Sequence, residues 1–237
     1  MVWTIGALGL FDDSVKITEK TLKDYSLVED AEDFRTGKKF QLTSAIKLDE
    51  KRISLGKQVR IFSGVVVNEW IRTPKILEQV EGGAYRIVSG EPIKDTQLGQ
   101  FWLTTEGIAV AQSKRSRGFS FDLLSTALLS KVRPIKFRVS KIADDYSGHW
   151  LGGFYDRKGR MQSGTIYGDS LEEERLIRRE YPRWKKKQVG FQTKYFGALT
   201  KVKVTQEGVV SAYRDLYGDM EQFFAFVKDE LLKYIET

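Results

Sequence analysis

The segment from Arg175 to Lys187 contains the residues of this chain whose types and spacing are most typical of a binding function. Its sequence, RLIRREYPRWKKK, holds seven cationic side chains and one carboxylate, with Tyr181 and Trp184 between the cations. Cationic side chains replace the condensed counterions of a polyanion, and exposed aromatic rings stack on nucleic-acid bases. The segment therefore indicates contact with the backbone of a nucleic acid.

Helix signals divide this basic segment into two parts. Ser170 followed by Glu173 forms a capping-box pattern that predicts a helix start, and Pro182 predicts its end. Glu174 and Arg178 are spaced for an ion pair on that helix, so a solvated, salt-bridged face is the alternative to nucleic-acid binding for this part. The predicted helix carries three candidate contacts, which are Arg175, Arg178 and Arg179.

The second part lies beyond the predicted helix, in a predicted loop. No carboxylate stands near its three lysines in the sequence. We therefore predict that the cations of this loop contact phosphates, while Trp184 either stacks on a base or anchors the loop by burial. The predicted phosphate contacts are Arg183, Lys185, Lys186 and Lys187.

A second basic group, Lys114-Arg-Ser-Arg-Gly118, lies between a predicted hairpin and a predicted helix. Cations and free backbone N–H groups at a helix start can together hold a phosphate. We predict that Lys114, Arg115 and Arg117 supply a second phosphate contact. The alternative is an exposed loop whose charges serve solubility.

Residue types that perform catalysis are scarce in this chain. It has one histidine, His149, and no cysteine, which excludes cysteine-based zinc sites and Cys–His nucleophiles. The groups Asp49–Lys51 and Asp144–Asp145 offer carboxylates that a divalent-metal nuclease could use, but both also fit turns. We predict a protein that is not an enzyme and has no metal or cofactor, with a metal-dependent nuclease as the alternative.

The net charge of +7 is unevenly distributed along the chain. Residues 1–50 carry −3 and residues 206–237 carry −4, so residues 51–205 carry +14. Both basic groups lie in this middle region. Such asymmetry favours a polyanionic partner that faces the middle of the chain.

The cellular compartment is inferred from composition and from the start of the chain. The absence of cysteine fits a reducing cytoplasm. Met1–Phe11 is apolar but lacks the basic region of a signal peptide and leads directly into Asp12 and Asp13, so it predicts a buried strand. No apolar run is long enough to span a bilayer. We expect a cytoplasmic protein without a membrane partner.

Alternating apolar and polar residues dominate the chain and predict antiparallel hairpins. Lys75–Val80 fits a short helix or a single helical turn, and Gly90–Gly99 marks a boundary between a β-rich region at residues 1–95 and an α+β region at 96–237. The predicted strands are Phe40–Leu48, Val59–Val67, Ile135–Ile142, Trp150–Tyr155 and Met161–Tyr167.

The α+β region contains a pattern that recurs after 101 residues. Leu103–Gln112 resembles Val204–Tyr213, and Glu106-Gly107 recurs as Glu207-Gly208 between apolar runs, where a hairpin needs a residue that tolerates positive φ. An apolar helix pattern follows each hairpin. We predict a β-rich α+β fold with antiparallel hairpins, packed helices and an internal β-hairpin–helix repeat. Duplication and convergent use of one turn both remain open.

This layout of strand hairpins and helices in a basic chain resembles the partner subunit of split short prokaryotic Argonautes, which supplies the N domain and linkers. It also resembles a ring-forming, recombination-associated DNA-binding protein. The resemblance covers layout and charge over most of the chain and transfers no residue. It implies a prokaryotic accessory subunit without a catalytic centre.

The sequence therefore favours a protein that binds DNA or RNA through the phosphate backbone, as an accessory subunit of a larger nucleic-acid-processing or defence complex. We expect a protein partner or self-association in addition to the nucleic acid. The apolar segment 220–235 is a candidate interface, and packing of that segment into the core is the alternative. A protein-interaction module without a nucleic-acid role is the further alternative.

Overall fold

The computed structural model describes residues 4–12, 14, 15, 17, 22, 25–49, 53–55, 59–156, 162–174 and 179–236. Within these ranges thirteen strands join one antiparallel sheet, and two more form a separate hairpin. This confirms the β-rich fold with antiparallel hairpins and a few helices. The strands are β1 (Thr4–Leu10), β2 (Ser26–Glu32), β3 (Lys39–Leu48), β4 (Ile53–Leu55), β5 (Val59–Arg72), β6 (Lys75–Gln79), β7 (Tyr85–Ser89), β8 (Ile93–Thr104), β9 (Ile108–Ala111), β10 (Arg133–Pro134), β11 (Leu151–Tyr155), β12 (Gly164–Tyr167), β13 (Lys185–Thr193), β14 (Thr200–Thr205) and β15 (Val209–Ala212).

The N-terminal strand β1 lies in the interior of the sheet, as its apolar sequence predicts. The strand order is β12-β11-β13-β14-β15-β1-β9-β8-β5-β3-β2, so β1 joins the hairpin β8–β9 to the hairpin β14–β15. Strand β8 pairs with β5 along its whole length and passes through residue 95 as regular strand. The sheet is therefore continuous across the predicted boundary between the two regions.

Helices cover opposite faces of the sheet around β1. The α-helices whose bounds lie within the described ranges are α1 (Lys114–Leu128), α2 (Val139–Asp145) and α3 (Met220–Phe226), and α3 continues as a π-helical turn (Val227–Leu231) and a 3-10 turn (Leu232–Tyr234). A Cβ added to Gly9 would lie 2.6 Å from the ring of Phe121 in α1, and one added to Gly6 would lie 2.7 Å from the ring of Phe223 in α3. Because positions 6 and 9 of a strand face opposite ways, α1 and α3 pack on opposite faces and enclose two separate cores.

The two predicted hairpin–helix segments are both present. Gly107 and Gly208 occupy the turns with φ of +85° and +77°, which only glycine adopts without strain. The carboxylate of Glu106, in the first turn, pairs with Lys228 at 2.7 Å, while that of Glu207, in the second turn, pairs with Lys114 of α1. Each turn is thus tied to the helical segment of the other unit. The internal repeat stays a prediction.

Outside the basic segment Arg175–Lys187, three secondary-structure predictions are wrong. Residues 75–79 form strand β6 of a hairpin, because Gly82 and Gly83 supply the positive φ of its turn. Within 135–142, helix α2 begins at Val139, since Val139, Ile142 and Ala143 bury one helical face. Ser170 has a left-handed φ of +51° and residues 171–173 form a turn, so no helix begins there. No helix in the described ranges is long and apolar enough to cross a membrane.

Candidate nucleic-acid interface

A groove of about 600 Å³ brings parts of the two basic groups together. Its floor is formed by β13, β14, β15 and β1, and one wall is the start of α1. Lys114 and Arg115 come from the first basic group and Lys187 from the second, and Lys203 of β14 joins them. The remaining lining residues are Ile5, Ser113, Gln188, Thr205, Gln206, Glu207, Val209 and Ser211.

The wall is positioned by the cap of helix α1. Ser113 is the N-cap: its hydroxyl accepts a hydrogen bond from the backbone N–H of Ser116 at 3.1 Å, and the Ser116 hydroxyl accepts one from the backbone N–H of Ser113 at 3.2 Å. The first turn contains no acidic residue. The partial positive charge of the helix start therefore adds to that of Lys114 and Arg115.

The turn between β14 and β15 fixes the wall to the floor. Lys114 forms an ion pair with the Glu207 carboxylate, and Arg117 Nη1 donates to the Glu207 carbonyl at 2.6 Å. The hydrogen bond from Lys114 holds the pKa of the Glu207 carboxyl below its usual value. Arg117 thus tethers the helix start and is only half-exposed, whereas we predicted a phosphate contact. No described carboxylate pairs with Arg115, Lys187 or Lys203, so the groove carries an excess of positive charge.

Strand alternation explains how Lys203 reaches the groove. In the sequence TKVKVT of β14, Val202 and Val204 are fully buried in the core that contains α3. Lys201, Lys203 and Thr205 must then face the opposite side of the sheet. The same alternation can be read from the sequence, but we did not single out Lys203.

Lys187 reaches the groove because of a β-bulge. Residues 185–187 lie in strand β13, whereas we predicted a loop. Gly153 of β11 pairs with Gln188 and Phe154 pairs with Lys186, so Lys187 is the extra residue of a bulge. A bulge changes the direction of a side chain relative to simple alternation. Lys187 is exposed and lines the groove beside Gln188.

Lys185 and Lys186 do not line this groove. Lys185 forms an ion pair with Asp156 at the end of β11, and this partner raises the pKa of Lys185. Lys186 is only 5% exposed, and its Nζ lies 4.7 Å from the ring centroid of Tyr181 and 3.5 Å from the Pro182 carbonyl. Burial lowers the pKa of Lys186. The prediction that Lys186 contacts a phosphate is wrong, because its ammonium group points into the protein.

Trp184 is an anchor. Its ring is half-buried and lies 4.5 Å from the ring of Phe154 and 5.9 Å from that of Tyr181. Arg179 and Arg183 are exposed but do not line the groove. The other two cations of the predicted helix, Arg175 and Arg178, lie outside the described residues.

No known protein family, curated protein or solved structure matches this chain.

The chemistry of the groove follows from its own side chains. The groove combines four cations with one carboxylate and a floor that includes hydroxyl and amide groups. Such a lining suits an extended anion that carries several charges.

One of the carboxylates considered for a nuclease, that of Asp145, has a structural partner. Asp145 accepts a hydrogen bond from the Tyr234 hydroxyl at 2.5 Å, and the backbone N–H of Asp49 donates to the Ser63 carbonyl at 2.9 Å. Glu50 and Lys51 lie outside the described residues. Within the described ranges, no group of three or more His, Asp or Glu side chains could hold a metal ion. The absence of an enzymatic activity stays a prediction.

Replacing Lys186 with Met should leave nucleic-acid affinity within about twofold of the parent, because the buried ammonium cannot contact a phosphate. Methionine keeps the length of the side chain and removes a charge whose burial is unfavourable, so stability should be unchanged or raised by about 1 kcal/mol. Fluorescence anisotropy and urea unfolding measure the two effects. A loss of affinity as large as that of a groove variant would show that Lys186 does contact the ligand.

His149 links the start of β11 to the turn at 170–173. Its imidazole is 3% exposed, and Nδ1 lies 3.5 Å from Glu172 Oε2. The Glu172 carboxylate also accepts hydrogen bonds from the backbone N–H groups of Gly148 at 2.5 Å and His149 at 3.0 Å. Burial lowers the pKa of His149, and the nearby Glu172 offsets part of this effect. The neutral imidazole is therefore the form that the fold favours.

The stability of the protein should decrease as the pH falls below the ordinary histidine pKa of 6.5. The unfolded chain then binds a proton that buried His149 does not, so the stabilisation present above that pH is lost on acidification. His149→Gln should reduce the slope of unfolding free energy against pH by up to about 1.4 kcal/mol per pH unit. Urea unfolding between pH 7.5 and 5.5 compares the two proteins, and identical slopes would show that His149 does not contribute.

Proposed function

We propose that this protein binds nucleic acid through phosphate groups in the groove between the start of α1 and strands β13–β15, without a catalytic centre of its own. The observation that carries the proposal is the convergence of Lys114 and Arg115 with Lys187, which are far apart in sequence, on one groove with Lys203. Three of these cations pair with no described carboxylate. They remain available to replace the counterions of a phosphate backbone.

The proposed mode of binding is independent of base sequence. Lysine and arginine side chains neutralise phosphates, and the backbone N–H groups at the start of α1 add a partial positive charge. Contacts of this kind set the register and orientation of a nucleic acid but do not read its bases.

The experiment is fluorescence anisotropy of the purified protein with labelled single-stranded DNA, duplex DNA and RNA over a salt series. Binding should weaken linearly in log affinity against log salt, with a slope of about −0.7 per phosphate neutralised on a single strand and about −0.9 on a duplex. Absence of binding to all three ligands at low salt would overturn the proposal.

We include in this proposal an accessory role in the cytoplasm, beside a larger enzyme. A partner like the Argonaute chain of the split short systems is one example of such an enzyme. In the candidate interface at 220–235, the side chains of Phe223, Phe224 and Leu231 are buried in the core. The hairpin β6–β7 supports a protein partner instead. Leu77 pairs with Ile87, and these two side chains are 63% and 69% exposed. A two-stranded hairpin with an exposed apolar face is marginally stable alone and gains from a partner.

A further inference from the structure

The floor of the groove continues along one sheet face, where Trp150 covers Gly190, to an exposed aromatic ring on the edge strand. The register of the strands places Tyr167 opposite Leu151, Leu151 opposite Gly190, Gly190 opposite Lys203, and Lys203 opposite Ser211. These residues therefore form one row across β12, β11, β13, β14 and β15. Side chains in such a row point to the same face of the sheet.

Tyr167 ends this row on the edge strand β12. Its side chain is 70% exposed. Three strand spacings separate it from Lys203, which is a distance of about 14 Å. The face thus presents a ring suitable for stacking at one end and the cations of the groove at the other.

The neighbouring row of the same face carries hydrogen-bonding groups. Thr165 lies opposite Gly153, Gly153 opposite Gln188, and Gln188 opposite Thr205. Gln188 Nε2 donates to Thr165 Oγ1 at 3.0 Å, and Gln188 and Thr205 are half-buried. Amide and hydroxyl groups at the surface of a sheet can hydrogen-bond to the edges of unpaired bases.

Gly190, at the centre of the face, leaves room for the indole of Trp150. A Cβ at this position would lie 2.6 Å from the indole of Trp150, which is 7% exposed. Lys201 Nζ lies 5.5 Å from the centroid of the Trp150 ring, and the Tyr213 ring makes a T-shaped contact with it at 4.9 Å between centroids. These side chains cover the centre of the face, where Leu151 is 2% exposed, and Tyr167 is the exposed ring at its edge.

We infer that this face binds single-stranded nucleic acid, with a base stacked on Tyr167 and phosphates at Lys203, Lys187 and Arg115. The inference rests on the proposed function and names the class of its ligand. The bases of a duplex are stacked inside the helix, so a ring on a flat sheet cannot reach their faces, whereas a single strand exposes them. A single strand laid along the row can place a base on the ring and its phosphates in the cationic groove.

The test is anisotropy with a labelled single-stranded DNA, an RNA of the same sequence and the corresponding DNA duplex, using the full chain. The parent should bind at least one single strand about tenfold or more tightly than the duplex. Tyr167→Ala should weaken single-strand binding by about 5- to 150-fold, the range found for loss of one base–aromatic stack, and leave duplex binding within about twofold. Tyr167→Phe, which keeps the ring, should bind like the parent.

A matched control is Tyr85→Ala, because Tyr85 is 62% exposed on the hairpin β6–β7 and lies outside both rows. It should leave single-strand binding unchanged. Equal affinity for duplex and single strand, or unchanged single-strand binding in Tyr167→Ala, would overturn the inference while leaving the proposed function in place. Failure of every ligand to bind would overturn the proposed function and the inference together.

Discussion

Reversing the charges of Lys187 and Lys203 together should weaken nucleic-acid binding on the order of 100-fold at moderate salt. Each substitution to Glu removes one phosphate contact and adds a repulsive charge to a groove whose lining contains one carboxylate, Glu207. The slope of log affinity against log salt should fall in magnitude by about 1.4 for a single-stranded ligand, because two fewer phosphates are neutralised. Anisotropy over a salt series measures both quantities.

The matched control reverses Arg179 and Arg183 to Glu. It makes the same change in net charge at two exposed cations of the predicted basic segment that do not line the groove. Its affinity should stay within about threefold of the parent, since charges outside the contact are largely screened by salt. Equal losses in the two double variants would mean that affinity follows net charge and not the groove.

Replacing Phe223 with Ala should lower the free energy of unfolding by about 3–5 kcal/mol. The ring is fully buried, and it fills the space left by Gly6 beside Val110 of β9. Its removal leaves a cavity between α3 and the strand that joins the two hairpins. Urea unfolding followed by circular dichroism measures the loss, and Phe223→Leu, which fills more of the space, should show a smaller one.

Phe34→Ala is the control for this substitution, because the Phe34 side chain is 99% exposed. The chemistry of the substitution is identical, but no packing is lost, so the change in unfolding free energy should stay within about 0.5 kcal/mol. A loss of less than about 1 kcal/mol in Phe223→Ala would contradict the packing of α3 on β1.

Local sequence patterns correctly predicted the elements whose conformation is set by their own residues. The apolar start of the chain indicated a buried strand, and β1 lies inside the sheet. The Glu-Gly pairs indicated hairpin turns, and both glycines adopt the positive φ that such turns require. In these cases the alternation of side chains and the turn chemistry agree with the packing around them.

Elements fixed by hydrogen bonds to other segments of the chain were predicted wrongly. The capping-box pattern at Ser170 resembles a helix start, but the Glu172 carboxylate two residues later binds the backbone at Gly148 and His149, which fixes a turn instead. The KILEQ segment forms a strand because it pairs with β7 across the Gly82-Gly83 turn. Hydrogen bonds to other segments outweigh local helix propensity in both cases.

The candidate site was predicted in part for the same reason. Proximity in the sequence grouped Lys185, Lys186 and Lys187. In strand β13, with its bulge, their side chains lie in three different environments. Lys203 was missed because a single lysine in an alternating strand is common, and only the sheet order places it beside Lys114 and Arg115. Residues that share a surface through non-local pairing cannot be grouped by their spacing alone.

The measurement that decides whether the groove is the binding surface is lysine footprinting of the full chain. The protein is acetylated briefly with and without a bound single-stranded oligonucleotide, and each lysine is quantified by mass spectrometry. We expect protection of Lys114, Lys187 and Lys203, and no change at Lys75, which is exposed on β6. Unchanged modification of the three groove lysines under saturating oligonucleotide, or protection confined to lysines elsewhere, would contradict the account.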